Sequence, residues 1–344
     1  MRPAYSIRTE PNESRFIEYV YRNLEHLVIL DLIGDDPDSA KIALSGESNG
    51  DLPEVAPDEH KFWLSIGYAG EDLEEYGPYW IRNAVYRFNP SRVEYQLTSE
   101  RQTVASQPRE PAQEGVEYEK GSSLDFVLAD LAQKAGLTYK SEGDFDKVEL
   151  TEGYQLERGK PLDGVMRDLA ARYNLAIKIS GDEVTVISRV EPSEKLSGVN
   201  LSLTLVGVLS ATLNEVRPNS PDLSHRVLIK WYNDETGEIE ADIIGGSGTL
   251  INSDDLFEKL PKTKAEAVAI GTRALSAADS SSTAFTVIIN GTPTVRPGAI
   301  VHTESDWPGV ARDRDFLIRR VRHSLSGSGQ GFTTEITCRK PKGS

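Results

Sequence analysis

The sequence predicts an α+β protein, mainly β, in which two β-barrel-like domains are separated by a small duplicated α/β module. Three observations carry that reading. Short segments rich in β-branched and aromatic residues, divided by turn-rich pieces, fill both the first hundred residues and the last hundred and fifty. The middle holds one helix-then-strand unit written twice. A single alanine-rich stretch in the second half supplies the only helix expected there.

The first arm, residues 1–100, contains strand candidates at Tyr19–Ile33, Ala40–Ser45, Phe62–Ala69, Tyr79–Phe88 and Arg92–Thr98, the last alternating apolar and polar side chains. Turn-rich pieces at Gly34–Ser39, Gly46–Pro53 and Gly70–Pro78 separate them. Strands this short at this spacing suggest a sandwich or a small barrel. Residues 101–120, with Pro108, Pro111 and many Gln and Glu, read as a linker or surface excursion.

The duplicated module spans residues 121–190. Leu124 to Lys140 (LDFVLADLAQKAGLTYK) and Leu162 to Lys178 (LDGVMRDLAARYNLAIK) align without a gap, so that Asp125 meets Asp163, Leu131 meets Leu169 and Lys140 meets Lys178. In each copy apolar residues fall at i, i+3, i+4 and i+7, one stripe of an amphipathic helix. Gly136 and Asn174 stand where a left-handed residue ends a helix. Ser123 is placed to cap the first helix, and Pro161 sits where a first-turn proline loses no hydrogen bond. A short strand follows each helix, Leu137–Lys140 and Leu175–Ser180, the second continued by Glu183–Ser188. Both stripes are expected to face one shared core.

The second arm, residues 191–344, offers strands at Leu201–Leu205, Arg226–Tyr232, Glu238–Ile244, Ala284–Ile289, Ile300–Thr303, Phe316–His323 and Phe332–Cys338. Lys262–Ser276 is the alanine-rich helix, opening just after Pro261.

Composition excludes several classes. One cysteine, Cys338, rules out an internal disulfide framework and a cysteine-rich metal site. No run is long and apolar enough to span a bilayer, so membrane insertion is not expected, and the opening MRPAYSIRTE lacks the shape of a secretory signal. A formal charge of −16 argues against specific nucleic-acid binding, which needs a basic footprint. That charge is uneven. Residues 1–100 carry 9 basic and 19 acidic side chains, whereas residues 301–344 carry 8 basic and 5 acidic, so an acidic front and a basic end can meet at a protein interface.

The chemical motifs are weak. Gly46-Glu47-Ser48-Asn49-Gly50 matches the G-x-S-x-G pattern of a nucleophilic serine, but the proline-containing DLPEVAPDEH after it is not the required helix. Asp31, Asp35, Asp36 and Asp38 lack the spacing of a calcium loop and read as a solvated turn. His26, His60, His225, His302 and His323 show no zinc-binding spacing. Gly245–Gly248 is not followed by Lys-Ser and reads as a flexible loop. No catalytic, metal or cofactor residue is assigned. The basic cluster at the end is the candidate protein interface: Arg320 and Arg322 share one face of a strand, with Arg319 and His323 on the other, near Arg339, Lys340 and Lys342.

Several stretches resemble the phage late control D proteins, tail baseplate hub proteins related in fold to the hub of T4-like phages. They are ALSAADSSSTAFTVIINGTPTVRPGAIVHTES with turns at Gly291, Pro293, Pro297 and Gly298, the closing FLIRRVRHSLSGSGQGFTTEITC, and RVLIKWYNDETGEIEADIIGG. SLDFVLADLAQKAGL and PLDGVMRDLAARYNLAIKISGDEVTVISR resemble the family's middle, and FWLSIGYAG…YGPYWIRNAVY its front. The resemblance implies two hub domains per chain, a homotrimer with a pseudo-sixfold ring, and an adapter between a sixfold tail tube and a threefold spike. It implies a virion tail or a phage-tail-like injection particle as the location. Tail spike protein, tail tube protein, tape measure protein and other baseplate proteins are the implied partners, with no enzymatic activity and no cofactor. The alternatives are a tail-associated cell-wall hydrolase, with Ser48 its nucleophile, and a glycan-binding module.

Overall fold

The structure, a computed structural model, describes residues 1–33, 37–46, 60–100, 117–142, 148–150, 153–156, 159–173, 175–188, 200–215, 226–233, 236–245, 250–252, 261, 264, 267–268, 270–272, 274–275, 283–327 and 331–341. The first arm comprises β1 (Pro3–Glu10), α1 (Ser14–Asn23), β2 (Leu24–Leu32), β3 (Ser39–Ser45), β4 (Lys61–Tyr68), β5 (Glu74–Arg87) and β6 (Arg92–Thr98). The strand expected from Tyr19 is therefore corrected: the chain is helical up to Asn23 and turns extended only at Leu24. Phe16 and Val20, one helical turn apart, are both buried, while Arg15, Glu18 and Arg22 face solvent. That i, i+4 pair outweighs the β preference of Tyr19, Val20 and Tyr21.

The module contains β7 (Glu117–Tyr118), α2 (Leu124–Lys134), β8 (Thr138–Glu142), β9 (Tyr154–Gln155), α3 (Leu162–Arg172), β10 (Leu175–Ser180) and β11 (Glu183–Ser188). The helices pack on a three-stranded sheet of order β10-β11-β8, antiparallel between β10 and β11 and parallel between β11 and β8. Leu124, Val127, Leu128 and Leu131 share one core with Leu162, Val165, Met166 and Leu169, as the duplicated stripes require. Gly136 ends α2 at φ +74°, where the Leu137 N–H reaches the Ala132 carbonyl at 2.9 Å. Ser123 occupies the N-cap position, but its hydroxyl makes no capping bond. Asn174 lies outside the described residues.

The second arm contributes β12 (Leu201–Leu203), β13 (Val208–Glu215), β14 (Arg226–Asn233), β15 (Glu238–Gly245), β16 (Leu250–Asn252), β17 (Thr283–Asn290), β18 (Ile300–Thr303), β19 (Arg314–Ser326) and β20 (Phe332–Arg339). Of the expected helix at Lys262–Ser276, the described positions from Lys264 to Leu275 are helical, and Ala267 is buried against Val227, Ile229 and Trp231 of β14. Gly271 faces that sheet so closely that a Cβ there would stand 2.4 Å from Ile229.

The mainly β character of both arms stands. The barrels expected of them are not seen as closed: among the described residues no sheet closes on itself. The arms instead share one large sheet of order β1-β4-β5-β6-β3-β2-β19-β20-β17-β13, with β18 beside β19 and β12 beside β18. The seam is the antiparallel pair β2 and β19, which runs from Arg320 opposite Leu32 to Ser326 opposite His26. One hydrophobic core crosses it, since Leu325 and Phe332 of the second arm are buried with Leu27, Ile29, Phe62 and Tyr95 of the first.

Leu131 and Leu169 test the shared core of the module. Each Leu→Ala change in the full chain is expected to cost roughly 2–5 kcal/mol by cavity formation, read by urea unfolding. A loss at one leucine and none at the other would contradict a common core.

Candidate functional site

Alternation along the seam sends neighbouring residues of β2 and β19 to opposite faces of the sheet. One face is a buried charge lock, and the other is an open cationic groove.

The lock begins with Asp31, near the end of β2, and Asp38, just before β3. Both are buried, so the expectation of a solvated acidic turn is corrected for these two residues. Asp35 and Asp36 lie outside the described residues. Lys178 of β10 enters from the module, its ammonium 2.7 Å from Asp31 Oδ1 and 2.9 Å from Asp38 Oδ2. Asp38 Oδ1 accepts the Leu32 N–H at 3.0 Å. From the second arm Arg296 reaches Asp31 Oδ2 at 3.4 Å and Glu74 at 2.7 Å, and its guanidinium lies 3.5 Å above the Tyr76 ring. Asp31 thus receives one cation from the module and another from the second arm.

A hydrogen-bond relay continues from Tyr76. Its hydroxyl donates to the Pro293 carbonyl at 2.6 Å and lies 2.7 Å from His323 Nε2, while His323 Nδ1 is 3.0 Å from the Thr334 hydroxyl. Because the Tyr76 proton is committed to a carbonyl, His323 Nε2 must donate to the phenol oxygen, leaving Nδ1 to accept from Thr334. That pattern is one of a neutral imidazole. Burial supplies it, pushing the His323 pKa down to about 4.

The carboxylates split in the way two close like charges do. Burial, and then the Asp31 charge, push Asp38 up to about 7. Burial alone would raise Asp31 as well, but the charges of Lys178 and Arg296 hold it below the usual carboxylate range. Burial likewise disfavours charged Lys178, yet Asp31 and Asp38 outweigh that and raise its pKa. The signs follow from linkage. The Asp38 contribution is fully present below the ordinary aspartate range and is lost as pH rises through about 7. The His323 contribution is present above about 6.5 and is lost as pH falls through about 4.

Around the lock the module makes further contacts with the sheet. Ile33 packs with Ala176 and Ile187, the Gly181 N–H donates to the Ser99 carbonyl at 3.3 Å, and Arg167 pairs with Glu100.

On the open face lies a groove of about 470 Å³. Arg320 and Arg322 of β19 stand on its rim, joined by Lys41 of β3 and Arg82 of β5; Val28 and Leu30 of β2 are among its lining. The expectation that Arg320 and Arg322 share a face is met, since both are exposed beside buried Val321. Arg319 is the extra residue of a β-bulge between Ile318 and Arg320, half-buried, with its carbonyl accepting the Ile33 N–H at 3.0 Å. The other sequence candidates scatter. His26 is exposed, His60 is buried, and His302 pairs with Asp315 at 2.8 Å. Ser48, Gly246–Gly248, His225 and Lys342 lie outside the described residues.

No family model matches the chain, and no curated protein sequence matches it either. Solved structures do match in fold. The tail protein from Neisseria meningitidis MC58 is 14% identical, with 99% of this chain and 97% of that one covered at a TM-score of 0.65. The 43 kDa tail protein of prophage MuSo2 from Shewanella oneidensis is 13% identical, with 92% and 94% covered at a TM-score of 0.63. The E. coli c3393 protein, a component of the type VI secretion system with structural similarity to the T4 tail proteins gp27 and gp5, is 12% identical; 93% of this chain and 73% of that one are covered at a TM-score of 0.51. The chain thus shares, over nearly its whole length, the fold of phage tail proteins.

Lys178→Met tests the lock. Removing the cation leaves Asp31 and Asp38 without their shared partner, so a loss of about 3–5 kcal/mol is expected at pH 8. The loss should shrink at pH 5.5, where Asp38 is protonated, as urea unfolding at the two pH values would show. A variant as stable as the wild type at pH 8 would contradict the assignment.

Proposed function

We propose that this chain is a structural subunit of the baseplate hub of a phage tail or phage-tail-like injection particle, of the late control D type. The observation that carries the reading is the end-to-end fold match with the Neisseria meningitidis tail protein, 99% of one chain on 97% of the other. The order of sequence motifs through both arms and the module supports the finer assignment. In this reading residues 1–100 and 191–344 are the two hub domains, residues 101–120 are a linker or surface excursion between the first of them and the module, and residues 121–190 are a structural spacer. Three copies make a ring that meets the tail tube on one side and the spike on the other, with tape measure and baseplate proteins as further partners. Arg320 and Arg322 contribute to contacts with another protein, and the work is mechanical rather than enzymatic.

A single seam supports such a role physically. Two β-rich arms bonded into one sheet and clamped by buried charges form a stiff unit, and a tube adapter has to transmit load without its two halves sliding.

Sedimentation of the purified chain, alone and with its cognate spike, tests the assembly. The expected result is a species of three times the monomer mass, present alone or appearing when the spike is added. A monomer under both conditions at high concentration would overturn the trimeric reading.

A further inference from the structure

We infer that the open groove between the arms is a docking site for an extended, carboxylate-bearing segment of another protein. Arg82, Lys41, Arg320 and Arg322 come from three strands of both arms, and Glu94 is the one carboxylate in the lining among the described residues. The lining is therefore net positive in a chain whose formal charge is −16. Arg82 and Arg320 form no ion pair with any described residue, while Lys41 pairs with Glu94 at 2.7 Å and Arg322 lies 3.8 Å from Glu335. Two cations are thus left for a ligand's acids, and two more can exchange partners.

Spacing and polarity select the ligand's form. Arg320 and Arg322 are two residues apart on β19, as are Val28 and Leu30 on β2, so each pair repeats at about 6.6 Å along its strand. An extended peptide repeats its side chains at the same interval, so acids at i and i+2 match the two arginines. Half-buried Val28 and Leu30 give apolar side chains a surface to cover. A nucleic-acid strand fits less well. Among the described residues the lining contains no aromatic ring on which bases could stack, and the chain as a whole repels phosphate.

This inference deepens the interface role proposed for Arg320 and Arg322, and its test does not need the assembled ring. A fluorescein-labelled Glu-Leu-Glu-Leu-Glu-Leu peptide is titrated with the full-length chain and followed by anisotropy, alongside Lys-Leu-Lys-Leu-Lys-Leu and a six-residue oligothymidylate. Saturable binding of the glutamate peptide alone is expected, weakened by added salt. Arg320→Ala with Arg322→Ala should weaken it about tenfold. Arg82→Gln, on another strand, should also weaken it, and Arg22→Ala, on the exposed side of α1, should leave it unchanged. Thermal unfolding of each variant confirms an intact fold. Absence of saturable binding, equal binding by the groove variants, or preference for the oligonucleotide would overturn the inference. Retained binding by a chain that never forms a trimer would remove the ring assembly and leave the groove standing.

Discussion

The structure depends on one ammonium held between two buried carboxylates. Lys178 brings a positive charge from the module into a space lined by Asp31 and Asp38, and the three groups satisfy one another there. Desolvating each ion costs several kcal/mol, which close pairing and good hydrogen bonding roughly offset. The net contribution of such a cluster to stability is small, but the penalty for misplacing it is large. Any arrangement that withdraws Lys178 leaves two carboxylates buried side by side, and any that withdraws Arg296 leaves Asp31 with less compensation. The cluster therefore acts on specificity. It fixes how the module, the first arm and the second arm sit together, where apolar packing alone would tolerate small slides.

The seam strands divide two tasks by their alternation. Asp31 and His323 point to the packed side, where every polar group of the relay has a partner and the imidazole is held neutral. Leu30, Arg320 and Arg322 point to the open side, where they line the groove. A one-residue slip of β19 against β2 would turn Arg320 and Arg322 into the core, so register fixes which face carries the charge. The bulge at Arg319 matters for the same reason. It moves one arginine out of the alternation, letting Ile318 and Val321 both remain buried on either side of it.

Much of the architecture was legible in the sequence. The duplicated leucine stripes led directly to the shared core of the module, and β6 matches the alternation of Arg92–Thr98 residue for residue. The shared sheet was not legible, because pairing between β2 and β19 joins residues some three hundred apart and leaves no local pattern. Helix α1 was hidden by the β-forming composition of its last turn. The lock was hidden more deeply. Lys140 and Lys178 are equivalent in the two copies, yet Lys140 pairs with Glu183 at the surface while Lys178, largely covered, pairs with buried Asp31. Only its place inside the apolar strand LAIKIS hinted at the difference. Arg296 stood beside a recognised Pro-Gly turn and carried no signal of its own. Arg320 and Arg322 were found by local charge, whereas Lys41 and Arg82 join them only through the fold.

If the lock makes the module and the shared sheet a single cooperative unit, the two open together. Native-state hydrogen exchange on the full chain tests it most directly, with amides of α2 and α3 followed beside those of β2 and β20. One common opening free energy is expected for all four elements in the wild type, and in Lys178→Met an earlier opening of α2 and α3 while β2 and β20 stay protected. Separate openings of module and sheet in the wild-type chain would contradict it.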